Sequence, residues 1–355
     1  MARSRALRWL APVGVAGVAA LAATGAFSAS ASSDDLPATT PAALIAAVQT
    51  SGVGGFSGTV VSHLSLGLPD LPAIGTSDEP SSFASLLTGS HTMQVWYGGL
   101  GKQRVALLGA TDETDLFRNG TDVWQWSSAD QLAVHSLLPA DAPTAAPLPS
   151  STSSLTPGDL ARDALHALDP TTRVAIEGNH TVADRSAYEL VLTPRTTATK
   201  VGSVHISVDG ETKIPLGVQV YARDASAPAV DVAFTSIRFG TQAERNFVFS
   251  PPANATVHEA GSGRRSAEPR ADAGRGTKPR TTGSGWARVV ALDPGPAAVA
   301  KLLGPASKAL TPVTGAWGKG RLLESALVSV LVTADGRLYA GAVDPESLYA
   351  AAGSR

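Results

Sequence analysis

The chain has 355 residues, which at about 150 residues per domain predicts two folded units. It contains no cysteine, which excludes disulfides, thiolate metal sites and lipid attachment at a cysteine. The net charge of −2 combines unlike segments: residues 1–31 carry +3, residues 32–260 carry −11, residues 261–285 carry +4 and residues 286–355 carry +2. Because so acidic a body repels phosphate backbones, nucleic acid is excluded as the main partner.

The N-terminus has the pattern of a secretory signal peptide. Three arginines precede an uncharged apolar run from Trp9 to Phe27, and Ala29-Ser30-Ala31 supplies the small residues needed for cleavage. The run is also long enough to span a bilayer, so an uncleaved membrane anchor is the alternative. Its Ala and Gly content lowers its hydrophobicity and favours cleavage near Ala31. Both interpretations predict that residues 32–355 are extracytoplasmic.

Two short helices and many strands follow. Thr40-Pro41 and Thr156-Pro157 each match a helix start followed by an apolar stripe. Asn119-Gly120 and Asp209-Gly210 are hairpin-turn signals. Alternation of apolar and polar residues predicts strands at 56–63, 91–97, 103–108, 114–118, 121–127, 132–137, 173–177, 188–193, 203–208, 216–222, 230–239 and 246–249. Residues 32–260 therefore predict an α+β domain, with one curved antiparallel sheet wrapped around a helix or two.

The same alternation predicts one apolar and one polar face for this sheet. Two short helices cover only part of an apolar face, so the remainder is either a ligand cavity or part of the core. We favour the cavity, and we assign its lining to Trp124, Trp126, Tyr188, Leu190, Leu192, Val204, Ile206, Val218, Val220, Val232 and Phe234.

The connection between Leu64 and Thr92 is apolar but broken by Pro, Gly and Ser, and it is longer than most connections. It is a lid over the cavity, a membrane-touching segment or packing material for the core. Together with the second predicted helix, it supplies the lid candidates Leu160, Ala164, Leu165, Leu168, Leu66 and Leu68.

Motifs for catalysis or metal binding are missing. The chain has no G-x-S-x-G, H-E-x-x-H or P-loop sequence, and its seven histidines are scattered. Asp112-Glu113-Thr114-Asp115 groups three carboxylates, but a strand entry is the usual place for a solvated turn. We therefore predict a binding protein without metal or cofactor. A secreted hydrolase would need a clustered polar site that the alternation does not indicate.

Residues 261–285 are rich in Gly, Arg, Ser and Pro, which predicts a flexible basic linker, with contact to anionic lipid headgroups as an alternative role. Residues 286–355 predict a small α+β C-terminal module. Its elements are a strand at Trp286–Ala291, a helix at Pro296–Leu303 and a final helix from Asp344 to Ala351. Between the helices, strands at Leu322–Thr333 and Arg337–Val343 form a hairpin closed by Asp335-Gly336. So short a module has a marginal core alone, and docking on the first domain is the alternative to independent folding.

Four blocks in the first domain resemble consecutive blocks of the LolA/LolB/RseB superfamily. Residues 118–126 also resemble a hairpin that all its branches share. The blocks at 188–195 and 208–216 are most similar to the RseB (MucB) branch, and the Ala, Gly and Pro usage is similar to actinobacterial sequences. The resemblance covers about residues 40–260 and implies an unclosed β half-barrel wrapped around helices, with an apolar cavity for acyl chains. The four blocks are residues 188–195, 208–216, 234–237 and 247–252.

Two functions are implied by this resemblance. LolA-like members carry lipoproteins, whereas RseB-like members restrain a membrane-anchored anti-sigma factor and respond to lipid. The arginine that ties the lid shut in compact carriers has no counterpart at 97–101. We expect an extracytoplasmic protein that buries the acyl chains of a lipid or lipidated protein, with peripheral membrane contact. The alternative is an RseB-like regulator that binds an anti-sigma factor through a protein interface.

Overall fold

The computed structural model contains two β-sheets, one of twelve strands and one of six. It describes residues 36–68, 89–138, 156–260, 279–303, 307 and 309–354. The predicted signal peptide, most of the connection between Leu64 and Thr92, and most of the predicted linker lie outside the described residues. Within the described ranges, no helix has the length and apolar character needed to cross a membrane.

The large sheet consists of two antiparallel runs. The first run is β1 (Phe56–Leu64), β2 (Gly89–Tyr97), β3 (Lys102–Leu108), β4 (Glu113–Asn119), β5 (Asp122–Ser127) and β6 (Leu132–Leu137). The second is β7 (Thr172–Val182), β8 (Arg185–Pro194), β9 (Val201–Asp209), β10 (Pro215–Ala222) and β11 (Pro228–Phe239). Strand β11 pairs with β1 and joins the runs, while β12 (Thr256–Ala260) pairs parallel with β6 at one edge. The strand order is β12-β6-β5-β4-β3-β2-β1-β11-β10-β9-β8-β7.

Local turn chemistry fixes the hairpins. Gly120 has a φ of 64° between β4 and β5, a left-handed conformation that glycine adopts without strain. Between β9 and β10, the carboxylate of Asp209 accepts hydrogen bonds from the backbone N–H groups of Glu211 and Thr212, at 3.2 and 2.6 Å. The turns predicted at Asn119-Gly120 and Asp209-Gly210 are confirmed.

Two helices pack on the large sheet, α1 (Pro41–Thr50) and α2 (Pro157–His166). Each begins with a threonine cap: Thr40 Oγ1 accepts from Ala43 N at 3.2 Å, and Thr156 Oγ1 accepts from Asp159 N at 3.2 Å. Helix α1 fully buries only Leu44, whereas α2 buries Pro157, Ala161, Ala164 and Leu165. The predicted α+β class with a curved, unclosed sheet is confirmed.

A second unit follows in the chain. Its strands are β13 (Arg280–Thr282), β14 (Val289–Leu292), β15 (Thr311–Gly315), β16 (Gly318–Glu324), β17 (Ser329–Thr333) and β18 (Leu338–Gly341), in the order β13-β14-β18-β17-β16-β15. Its helices are α3 (Pro296–Leu303) and α4 (Pro345–Gly353). The sheet begins at Arg280, so the last residues of the predicted linker belong to it. Trp317, Leu331, Tyr339 and Leu348 lie in its core.

Three local expectations differ from the structure. Residues 246–249 form no strand: a 3-10 turn at Glu244–Asn246 leads into an extended stretch. Its alternation arises because Phe247 and Phe249 both pack on the large sheet; Phe247 is 2% exposed, and a Cβ on Gly98 would lie 2.8 Å from its ring. Trp286 lies in a 3-10 turn instead of a strand. The strand predicted at 322–333 is two strands, β16 and β17, because a hydrogen-bonded turn at Ser325–Val328 separates them. Strands β12, β13 and β15 were not predicted.

Candidate functional site

Eight of the eleven predicted cavity residues lie in packed core. Six of them form a cluster with α1 and α2, while Val232 and Phe234 belong to the adjoining cluster with Val60 and Met93. We call the face of the large sheet that bears them the inner face. Val220 is half-buried at its margin. The eight, each at most 4% exposed, are Tyr188, Leu190, Leu192, Val204, Ile206, Val218, Val232 and Phe234.

Trp124 and Trp126 lie on the opposite, outer face, so their assignment to the same surface was wrong. Residues directly opposite in a register share a face. Trp126 pairs with Asp115 and Asp115 with Ala106, whereas the neighbouring row pairs Phe234 with Val60, Val60 with Met93 and Met93 with Leu107. The alternation within β5 correctly puts the two tryptophans together, but it cannot say which side faces inward.

The inner face is covered by the chain itself. Three buried side chains of α2, those of Ala161, Ala164 and Leu165, and the buried Leu44 of α1 pack there. The second unit adds Trp286 and Leu327, 8% and 6% exposed. Among the predicted lid residues, Ala164 and Leu165 are 9% exposed, and Leu160, Leu168 and Leu66 pack at the margins of the same cluster. Leu68 is half-buried.

Polar contacts tie the second unit to the first. Trp286 Nε1 donates to Thr172 Oγ1 at 2.9 Å, and Thr199 Oγ1 donates to the carbonyl of Ala342 at 2.6 Å. Lys200 Nζ pairs with Glu324 Oε1 at 2.6 Å. The backbone N–H of Ala326 donates to the Leu66 carbonyl at 2.8 Å. The second unit is therefore docked.

The outer face carries a pocket of about 610 Å³, which we call the outer pocket. The turn before β4 forms one side, and the aromatic rings of Phe117, Trp126 and Phe249 form another. Phe249 lies 5.0 Å from Phe117 and 5.7 Å from Trp126, measured between ring centroids. Its ionisable lining residues are Arg104, Asp112, Glu113 and Asp115.

Arg104 contacts four neighbouring side chains, two carboxylates and two aromatic rings. Its Nε donates to Asp115 Oδ1 at 2.8 Å, and one terminal nitrogen donates to Glu113 Oε1 at 3.0 Å. Its guanidinium carbon lies 4.6 Å from the Trp96 ring centroid and 4.7 Å from that of Phe117. Burial raises the pKa of Asp115 to about 7; the Glu113 carboxyl adds to the rise and Arg104 opposes it.

The prediction of a solvated turn at 112–115 is wrong for its second half. Thr114 and Asp115 are 4% and 3% exposed, because β4 already begins at Glu113. The run of carboxylates was visible in the sequence, but its approach to Arg104 depends on the β3–β4 pairing. Alternation alone did not supply that register.

His135 lies on the same face of the large sheet as the outer pocket, opposite Trp124 in the β5–β6 pairing. His135 stacks on Trp124 with 4.3 Å between ring centroids, and it contacts Glu259 Oε2 at 2.8 Å and Asp122 Oδ1 at 3.1 Å. Burial acts to lower the pKa of His135, but the two carboxylates outweigh it and raise the pKa. His135 thus joins β12 to β5. In the part of the chain that the structure describes, no three His, Asp or Glu residues are grouped to hold a metal.

Comparison with known proteins gives structural matches only. No protein-family model matches the sequence, and no curated protein matches it. The structure of the MucA/MucB complex from Pseudomonas aeruginosa matches at 16% identity over 88% of this chain and 96% of that chain, with a TM-score of 0.45. A LolA superfamily protein from Nitrosomonas europaea matches at 13% over 60% and 99%, with a TM-score of 0.25.

An uncharacterized conserved protein from Thermus thermophilus matches at 11% identity over 61% of this chain and 98% of that chain, with a TM-score of 0.35. All three matches are under 25% identical and have TM-scores below 0.5. At these identities and TM-scores, the similarity says nothing of function.

Proposed function

We propose that this protein is an extracytoplasmic binding protein that recognises a partner protein, in the manner of an RseB-like regulator, and does not catalyse a reaction. The partner implied by the sequence resemblance is a membrane-anchored anti-sigma factor. The observation that carries the choice is the filled inner face, where the eight core residues are at most 4% exposed.

A preformed acyl-chain cavity would need empty apolar volume. Burying sixteen methylene groups gains roughly 10 kcal/mol when the site is vacant. Here the same apolar surface already packs against α1, α2, Trp286 and Leu327. An entering chain would have to displace these side chains, and their exposure to water would offset most of its gain. This favours the regulator over a carrier with an open cavity.

The negative net charge of the first domain favours a partner protein with a basic surface. Residues 32–260 carry a net −11. Three carboxylates of this domain are solvent-exposed although each already contacts a basic side chain: Glu211, Glu244 and Glu259 are 82%, 72% and 69% exposed. Such a field accelerates association with a basic surface and weakens with added salt.

A second candidate is a lipid carrier whose cover moves. The cover over the inner face consists of separable parts, since α1 contributes one fully buried residue and the docked unit contributes Trp286 and Leu327. If the second unit moved away, an acyl chain would contact the predicted lining residues Leu190, Ile206 and Val220.

Lipid extraction separates the two. The full chain is produced with its N-terminal segment in its native envelope, purified, and analysed by native mass spectrometry and by mass spectrometry of the extracted lipid. We expect protein without stoichiometric lipid that cross-links to a single-pass membrane protein with a basic extracytoplasmic segment. One bound lipid per protein, retained through purification, together with no cross-linked membrane protein, would overturn the regulator and support the carrier.

A matched variant makes the cross-linking specific. Reversing the accessible charges with Glu211→Lys and Glu244→Lys should reduce the cross-linked yield. Equal yield from the wild type and this variant would contradict recognition by the acidic surface.

A further inference from the structure

The outer pocket has an unbalanced charge. Three carboxylates, those of Asp112, Glu113 and Asp115, line it against one guanidinium. Arg104 already contacts two of the carboxylates and two aromatic rings, so its position and its donors are committed. Asp112 Oδ1 is buried and has no hydrogen-bond partner among the described residues. Because Asp112 Oδ1 is shielded from solvent, the accessible acceptor is the carboxylate of Glu113, whose side chain is 40% exposed. The formal charge of the pocket favours a cation.

The aromatic rings that line the outer pocket add a second attraction for a cation. The faces of aromatic rings attract cations, and the attraction increases when water is excluded. Phe117 and Trp126 are 6% and 8% exposed, and Phe249 contacts both of them. The carboxylates and the rings line one pocket, which suits a cation on an apolar stem better than a hydrated hard cation such as Ca²⁺ or Mg²⁺, because such ions take oxygen ligands and gain nothing from ring faces.

We propose that the outer pocket binds an alkylammonium group, as carried by a lysine side chain, with the ammonium at Glu113 and Asp115 and the aliphatic stem against Phe117, Trp126 and Phe249. The pocket volume of about 610 Å³ accommodates such a group. The site does not depend on the proposed function, because the ammonium group is recognised whichever molecule carries it.

Binding of an ammonium group at this pocket should depend on pH, because it is coupled to the protonation of Asp115. The charged groups that face Asp115 are Arg104 on β3, Glu113 on its own strand and Asp112 in the preceding turn; Trp126 and Phe249 are uncharged. Near pH 7 the Asp115 carboxyl is about half protonated, because burial raises its pKa to about 7. An ammonium group favours the ionised form, so binding releases a proton. The affinity should therefore increase as the pH rises through about 7.

Calorimetry on the full chain tests this. The probe is Nα-acetyl-lysine methylamide, and the neutral control is the same molecule acetylated on its side-chain nitrogen. We expect one site with a dissociation constant on the order of 1 mM, since small ligands gain about 0.3 kcal/mol per heavy atom. Titrations in two buffers of different ionisation enthalpy should show release of up to about half a proton at pH 7.

Two variants and one control assign the binding to the pocket. Glu113→Gln should weaken binding about tenfold by removing a charged contact, and Trp126→Leu should weaken it by removing one wall. The control is Glu189→Gln: Glu189 is partly exposed, contacts His205 at 2.8 Å on the other half of the sheet and does not line the pocket. It should leave the affinity unchanged. Thermal melts confirm that each variant folds.

Three results would contradict binding of an alkylammonium group at this pocket. No saturable binding, equal binding of the neutral control, or unchanged affinity in a folded Glu113→Gln would overturn the proposal. The amine n-butylamine, which is the lysine side chain alone, identifies the source: equal affinity assigns the site to free amines, and weaker affinity assigns it to a lysine within a peptide. Both of these results support the alkylammonium site.

Discussion

Replacing Trp286 with alanine tests whether the second unit completes the core of the first. Trp286 is 8% exposed and packs in the same cluster as Leu190 and Ile206 of the large sheet. Its indole nitrogen donates to Thr172 Oγ1 at 2.9 Å. The residue therefore joins the units through both packing and a hydrogen bond.

The expected loss follows from these two contributions. Truncating a buried tryptophan to alanine costs about 3–5 kcal/mol of unfolding free energy through reduced burial and the cavity left behind. The hydrogen bond contributes about 1 kcal/mol of this. Trp286→Phe keeps most of the ring packing and should therefore lose only about 1–2 kcal/mol.

Urea unfolding followed by circular dichroism measures the loss, and an apolar fluorescent probe reports exposure of the inner face. Trp286→Ala should unfold in two transitions, because the second unit has a small core of its own and loses its docking contact. It should also bind the probe more strongly than the wild type. A loss below about 1 kcal/mol with unchanged probe binding would refute the view that the second unit covers this face.

Two further changes test polar contacts. Asp209 is 1% exposed and paired with Arg185; burial acts to raise the pKa of Asp209, but Arg185 and Thr212 outweigh it and lower the pKa. Asp209→Ala should therefore cost about 2–3 kcal/mol in urea unfolding at neutral pH, since Arg185 keeps its contact with Glu211, and less as acid protonates the wild-type carboxylate. Because the pKa of His135 is raised, its ion pairs stabilise the fold below its unfolded pKa of about 6.5 and lose that effect as the pH rises through the folded value. The stability difference between the wild type and His135→Gln, under about 1 kcal/mol, should thus be larger at acidic than at alkaline pH; the opposite trend would contradict the two carboxylate contacts.

Short sequence signals, such as helix caps and turn residues, predict most of the helices and strands. The Thr-Pro caps at Thr40 and Thr156 locate both helices of the first domain, and Asn119-Gly120 locates a hairpin. The β7–β8 hairpin lacks such a signal, because Ala183 and Asp184 take left-handed conformations, with φ values of 51° and 61°, without glycine. These signals act within a few residues, which is why single-sequence reasoning reaches them.

Contacts between distant segments were not predictable in the same way. Trp126 was assigned to the inner face because alternation groups residues within a strand without orienting the strand. Its true environment comes from Phe249, more than a hundred residues later, whose ring lies 5.7 Å away. The Arg104 to Asp115 contact likewise depends on register.

The docked second unit decides which face of the large sheet is open to a ligand, because it covers part of the inner face. A half-barrel with an open inner face would bind acyl chains there, and its partner surface would be a separate matter. In this chain, Trp286 and Leu327 complete that face, so an apolar ligand competes with the second unit for Leu190 and Ile206. The ligand would gain only the free-energy difference between its own packing and that of the second unit. A ligand in the outer pocket does not compete with the second unit; the group already in contact with Glu113, Asp115 and Phe117 there is Arg104. A partner that binds the outer face therefore leaves the docked unit in place, whereas lipid binding at the inner face must displace it.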